Sequence, residues 1–184
     1  MNNSKKSQIN SIKPTIISFI GMMGSGKTKM GKSLSKYINY NFYDIDEIIE
    51  QKFKMTITKI FQKFGEKVFR EKERIIIKNK IQNIVLNDEC AVVSLGGGGF
   101  EHYDTRKLLL KKTFVIWLDC PIDILLNRLG DAKTRPMLQG NITHNLNGLL
   151  KKRKKNYNEA HMKFDTSTNS SKQIIMKIKE HFNV

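Results

Sequence analysis

Cysteine is scarce in this chain: Cys90 and Cys120 are the two in 184 residues, and their spacing fits no metal site. Two thiols cannot build a disulfide framework, so a reducing, cytoplasmic setting is the expectation. Long apolar runs are also missing. No stretch approaches the ~20 residues that a membrane-spanning helix needs. Lys5 and Lys6 ahead of "TIISFIGMMG" imitate a short export signal. The same segment carries a stronger pattern, described below, and no export is expected. Internal repeats are absent, which excludes solenoids and propellers. Acidic residues are few, 17 against 33 basic ones, for a net charge of +16.

A balance of that kind often marks nucleic-acid or membrane binding. Here the basic residues are 27 Lys and 6 Arg, scattered along the whole chain. One dense block, "KKRKKNY" at 151–157, has no low-complexity surroundings. Dispersed charge reads as a Lys-rich surface, with neither a nucleic-acid nor a membrane partner expected. Part of it would suit a pair of anionic substrates. The length is that of one domain with a proper core. Residues 1–12 are polar and aperiodic, an expected disordered tail, which leaves 13–184 for the domain.

What is present is more telling. "GMMGSGKT" at 21–28 fits G-x-x-x-x-G-K-[ST]. Such a loop aims successive backbone N–H groups at phosphates, and the following helix adds its positive end. Gly21, Gly24 and Gly26 permit the tight path, Lys27 reaches the terminal phosphates, and Thr28 holds Mg²⁺. The context agrees. "PTIISFI" before the loop reads as a buried parallel strand, and "KTKMGKSLSKYI" after it spaces Met30, Leu34 and Ile38 as a helix does.

Further along, "NFYDID" reads as a short strand ending in acids, and "DEIIEQKF" starts a helix. Two more helices follow, "TITKIFQKFG" and "EKVFREKERIIIKNKIQNIVL", with a break at Gly65. "CAVVSLGGGGF" and "TFVIWLDCP" are buried strands. "IDILLNRL" begins a helix, and 130–141 is a polar loop with Pro136 and Gly140. A helix spans 142–161, then "KFDTST" is a last strand and "SSKQIIMKIKEHF" a terminal helix. Alternating strands and helices predict an α/β fold, a central parallel sheet with helices on both faces. Ligands then sit at the carboxyl ends of the strands. That rule gathers the loop at 21–28, Asp44, Asp46, the glycines at 96–99 and "DCP" along one edge.

Three features there carry chemistry. Asp44 and Asp46 can hold Mg²⁺ through water and orient an acceptor hydroxyl; the competing reading makes Asp46 the N-cap of the next helix. Four glycines in "LGGGGF" either let a ligand approach backbone N–H groups or form a flexible loop. Arginine stands out because Lys is the default cation, and its planar fork suits carboxylate or phosphate. Arg135 lies in the loop at 130–141, where a mobile lid could close on phosphates. Arg70 and Arg153, taken alone, read as solvated or salt-bridged surface groups.

Together, "GMMGSGKTKMGKSL", "YDIDEIIE", "FREKE", "SLGGGGF", "TRPML" and "RKKNYNEAHMKFDTST" resemble shikimate kinases in order and spacing, over about residues 14–183. The resemblance implies a P-loop kinase fold with a mobile lid, and transfer of phosphate from ATP to the 3-hydroxyl of shikimate. ATP would lie on Gly24, Ser25, Gly26, Lys27, Thr28 and Lys29, with Arg128 near adenine and Arg135 on the transferring phosphate. One Mg²⁺ would be held by Thr28 and, through water, by Asp44. Asp46 would bind the acceptor hydroxyl and take its proton. Arg70 and Arg153 would grip the shikimate carboxylate, and Gly96, Gly97 and Gly98 would offer backbone donors. Where the family commonly has R-x-P-x-Y, this chain has "RKKNY". A monomer is expected. The alternative is another small-molecule kinase of the same architecture, such as gluconate kinase; the paired arginines and the D-x-D acids favour shikimate.

Overall fold

Among the described residues, five short stretches form the strands, apolar in the inner three and mixed at the edges: β1 (Ile16–Ile20), β2 (Asn41–Asp44), β3 (Ala91–Ser94), β4 (Phe114–Asp119) and β5 (Met162–Asp165). The computed structural model describes residues 13–130, 137 and 141–183. The expected tail at 1–12 and the lid residues 131–136 and 138–140, Arg135 and Pro136 among them, lie outside the described residues. All strand pairs are parallel, in the order β2-β3-β1-β4-β5. β1 is central and every one of its residues is buried. Both faces of a parallel sheet are covered, so its inner strands β1, β3 and β4 read as continuous apolar runs rather than alternating ones.

Among the described residues, seven helices cover the sheet: α1 (Lys27–Ile38), α2 (Ile45–Phe53), α3 (Ile57–Leu86), α4 (Tyr103–Lys112), α5 (Ile122–Leu129), α6 (Ile142–Tyr157) and α7 (Ser171–Phe182). Successive β1 residues point to opposite faces. Ile17 and Phe19 pack with Leu34 of α1 and Ile174 and Ile178 of α7. Ile16 and Ile20 join Ile77 and Ile81 of α3, Leu109 of α4 and Tyr157 of α6. The expected break at Gly65 is present: its φ of 77° and ψ of 167° interrupt α3. The helix predicted over 142–161 stops earlier, at Tyr157. The pattern names no element over 103–112, where α4 forms; Thr105 and Leu109 are its buried residues, one helical turn apart. No helix among the described residues is long and apolar enough to cross a membrane.

At the amino end of the sheet, His161 extends β5 with its side chain. Its backbone N–H donates to Val115 O (3.0 Å), and its Nδ1 accepts from Val115 N (2.9 Å). The ring stacks on Phe114 at 5.1 Å. The residue is exposed overall, but desolvation on the side of the ring packed against Phe114 and Val115 holds its pKa below the ordinary value of 6.5. A base with a depressed folded pKa stabilises the native state above its unfolded pKa, and that contribution is lost as pH falls toward the folded value. Thermal melts should therefore drop more between about pH 7.5 and 5.5 in the wild type than in His161→Asn, which keeps an acceptor but does not titrate. Equal drops in both proteins would remove His161 from the acid response.

Candidate active site

The loop between β1 and α1 is built for close backbone packing. Gly21 has φ of 143°, and a Cβ there would lie 2.4 Å from Leu118 O of β4. Gly26 caps α1 in a left-handed conformation that side chains rarely adopt. Ser25 N donates to Met22 O (3.2 Å), closing the turn. Lys27, 9% exposed, folds back so that Nζ donates to the same carbonyl at 2.9 Å. The first turn of α1 thus aims at a cleft of about 310 Å³. All the site residues expected from the sequence line this cleft except two. The Ser25 side chain is buried beneath the loop, and Arg135 lies outside the described residues.

The two aspartates divide the expected roles differently from the capping alternative. Asp44, not Asp46, is the N-cap of α2: its carboxylate accepts from Asp46 N at 2.9 Å and Glu47 N at 3.5 Å. Asp44 ends a strand in extended backbone, as a cap requires, whereas Asp46 already sits in the first helical turn. The second Asp44 oxygen accepts from Thr28 Oγ1 at 2.6 Å, tying the phosphate loop to β2. Asp46 is left to face the cleft, beside Gly96.

Against the glycine run stand the two arginines. Arg70 Nη1 donates to Glu73 Oε2 at 2.6 Å, and Nε to Glu66 Oε1 at 3.4 Å. Its guanidinium lies over the Phe69 ring, 5.0 Å from the centroid. Burial pulls the Arg70 pKa down, but Glu73 and Glu66 outweigh it and the net direction is up, so this charge is permanent. Glu73 is 2% exposed, and burial raises its carboxyl against the opposing pull of Arg70. Arg153, read alone as a surface group, is 3% exposed. The phase of α6 explains the correction: Arg153 and Tyr157, four apart, share the buried face, while Lys151, Lys152, Lys154 and Lys155 take the solvent side. Arg153 Nη1 approaches Met22 Sδ at 3.8 Å, and Tyr157 OH donates to Gly97 O.

At the other end of the cleft, Arg128 reaches back from α5. Its guanidinium donates to Gly24 O (3.4 Å), Cys120 Sγ (3.5 Å), Thr166 Oγ1 (3.3 Å) and Thr166 O (3.1 Å). Thr166 in turn donates to Asp119 O from its N–H (2.8 Å) and its hydroxyl (3.0 Å). Arg128 therefore links the phosphate loop to the turns after β4 and β5.

The sequence motifs give no role of their own to Glu73, Tyr157 or the rings of Phe61 and Phe69. Glu73 had a signal: it is the acid three residues after Arg70 in "FREKE", a spacing that puts both on one helix face. Phe69 opens the same stretch, and Phe61 had no signal, since aromatics on an amphipathic helix read as core.

A family model for shikimate kinase matches residues 23–183. A shikimate kinase of Sulfurihydrogenibium sp. is 38% identical over 162 residues, which are 88% of this chain and 94% of that one. The solved structure of shikimate kinase from Acinetobacter baumannii in complex with shikimate has a TM-score of 0.84 and 31% identity, covering 91% of this chain and 92% of that one. A gluconokinase from Sinorhizobium meliloti shares the fold, with a TM-score of 0.51 and 14% identity over 94% of this chain and 93% of that one. The phosphate loop, the aspartates and the paired arginines meet in one cleft, and the match to known proteins runs nearly the whole length: the chain belongs to the shikimate kinase family.

Proposed function

We propose that the chain transfers the γ-phosphoryl group of ATP to the 3-hydroxyl of shikimate, giving shikimate 3-phosphate and ADP, a step toward chorismate and the aromatic amino acids. One observation supports this acceptor above others: Arg70, Arg153 and Asp46 all abut the glycine run beside the phosphate loop. Two guanidiniums converging on one spot suit a carboxylate, and a carboxylate beside them suits a hydroxyl on the same small molecule.

In this reading Arg70 and Arg153 hold the shikimate carboxylate, and Gly97 and Gly98 add backbone donors. Asp46 orients the 3-hydroxyl and takes its proton as the oxygen bonds to phosphorus and the bond to ADP breaks. Lys27 offsets charge on the migrating group, and Arg135 assists from the lid. Gly24, Ser25, Gly26, Thr28 and Lys29 cradle the phosphates, and Arg128 borders the base. A hydroxyl and a carboxylate 2.6 Å apart, Thr28 and Asp44, are the hard oxygen donors that Mg²⁺ takes alongside phosphates and water. Bound with ATP, Mg²⁺ supplies charge neutralisation at the phosphate oxygens. The reading extends to a cytoplasmic monomer acting on two small anions, without nucleic-acid or membrane partners, and to 13–184 as the kinase domain.

A coupled assay of ADP release with shikimate, gluconate and AMP as acceptors tests the proposal. Shikimate is expected to exceed the other two in kcat/KM by at least about 10³-fold, since a site built for hydrogen-bonded groups rejects molecules that lack them. Comparable turnover of gluconate would transfer the chain to the alternative.

A further inference from the structure

The glycine run after β3 costs chain entropy, and its backbone conformation does not call for it. None of Gly96, Gly97, Gly98 and Gly99 has φ in the left-handed range. Space is the reason instead. A Cβ on Gly98 would lie 2.5, 2.6 and 2.8 Å from Nη1, Cζ and Nη2 of Arg70, so the guanidinium rests flat on that residue. A Cβ on Gly97 would lie 3.0 Å from Arg153 Nη1. One on Gly96 would lie 2.5 Å from Asp46 Oδ1 and 2.9 Å from Glu73 Oε1. The fourth glycine differs: its Cβ would meet Ile77 Cδ1 and Leu95 Cδ2, both at 3.2 Å, which are core atoms.

We infer that Gly96, Gly97 and Gly98 are positioning residues, each seating a different acceptor-site side chain through the absence of its own. The inference rests on the shikimate kinase reading above and assigns each glycine a separate kinetic signature. The seated groups have little room to yield. Arg70 is held by Glu73 and Glu66 and lies against Phe69. Arg153 is buried, and Gly97 O is pinned by Tyr157 OH. A methyl group at 97 or 98 thus displaces the carboxylate grip. A methyl group at 96 displaces the carboxylate that orients the hydroxyl.

Steady-state kinetics and melting of the four alanine variants test this. Gly98→Ala and Gly97→Ala should raise the shikimate KM about tenfold or more, with the ATP KM within about twofold. Gly96→Ala should act chiefly on kcat. Gly99→Ala should lower Tm, with the shikimate KM within about twofold. The decisive arm is Gly98→Ala in an Arg70→Lys background, where the slimmer ammonium does not cover residue 98. There the alanine should add less than about threefold. An unchanged shikimate KM in Gly98→Ala, equal rises for both substrates, or the full factor in the Arg70→Lys background would overturn the inference. The same cycle read in Tm needs no substrate: Gly98→Ala should destabilise less when Arg70 is already Lys. That arm stands if the wild type proves inactive on shikimate, an outcome that would instead sink the functional reading. If Gly98→Ala fails to fold alone, its recovery with Arg70→Lys is the expected result, and failure of both is the contrary one.

Discussion

Lys27→Ala is expected to lower kcat by about 10³-fold while the protein still folds, because removing one preorganised donor to a developing charge costs on that order. Lys27 is the first residue of α1, and its Nζ already lies on the loop carbonyl of Met22 at 2.9 Å. From there it can reach phosphates cradled by the same loop without the helix moving. The contribution belongs to the transition state, where charge spreads over the transferring oxygens, so kcat should fall more than the ATP KM rises. The fold should survive, since α1 is anchored by Met30 and Leu34 rather than by its first residue. Circular dichroism and a melt would establish that, and stopped-time ADP release would give the rate. Near-normal turnover in a folded variant would mean that the loop does not act on the transferred phosphate.

The contrast between what the sequence made legible and what it hid follows from the range of the interactions involved. The phosphate loop was readable because its geometry is local: glycines, Lys27 and Thr28 act within one turn. The sheet was readable because strands buried on both faces leave continuous apolar runs, as in β1 and β4. α4 was not, since two buried residues in ten leave too thin a stripe to see a period. Arg153, read without the family resemblance, looked like a surface group for a related reason. Inside "KKRKK" every residue is a cation, and the phase of the helix, not the residue type, decides which one is buried. Asp44 and Asp46 were distinguishable only by where β2 ends, a boundary that sequence reading places to within a few residues. The purpose of the glycine run lay furthest out of reach. Its neighbours come from α2, α3 and α6, and no local pattern announces that three side chains will converge on one turn.

Arg70→Lys is expected to raise the shikimate KM about tenfold or more, because hydrogen bonds between charged groups are worth about 1.5–3 kcal/mol each and the fork is lost with the guanidinium. The lysine variant is preferable to alanine. Glu73 is 2% exposed and pairs with Arg70 at 2.6 Å. Stripping a buried carboxylate of its partner costs about 3–5 kcal/mol of stability, which would confuse binding with unfolding. A lysine keeps a positive charge near Glu73 while removing the planar grip. The ATP KM should barely move, since the contacts of the Arg70 guanidinium are to Glu66, Glu73, Phe69 and Gly98 rather than to the phosphate loop. A shikimate analogue with a hydroxymethyl group in place of the carboxylate should bind the wild type poorly. It should also be nearly indifferent to Arg70→Lys, because the partner of the fork is already gone. Both acceptors measured against both enzymes form a double-mutant-style cycle, and a contact between Arg70 and the carboxylate appears as a coupling of about 1 kcal/mol or more. If the two acceptors instead suffer equal losses, Arg70 touches something other than the carboxylate, and the paired arginines cease to argue for shikimate.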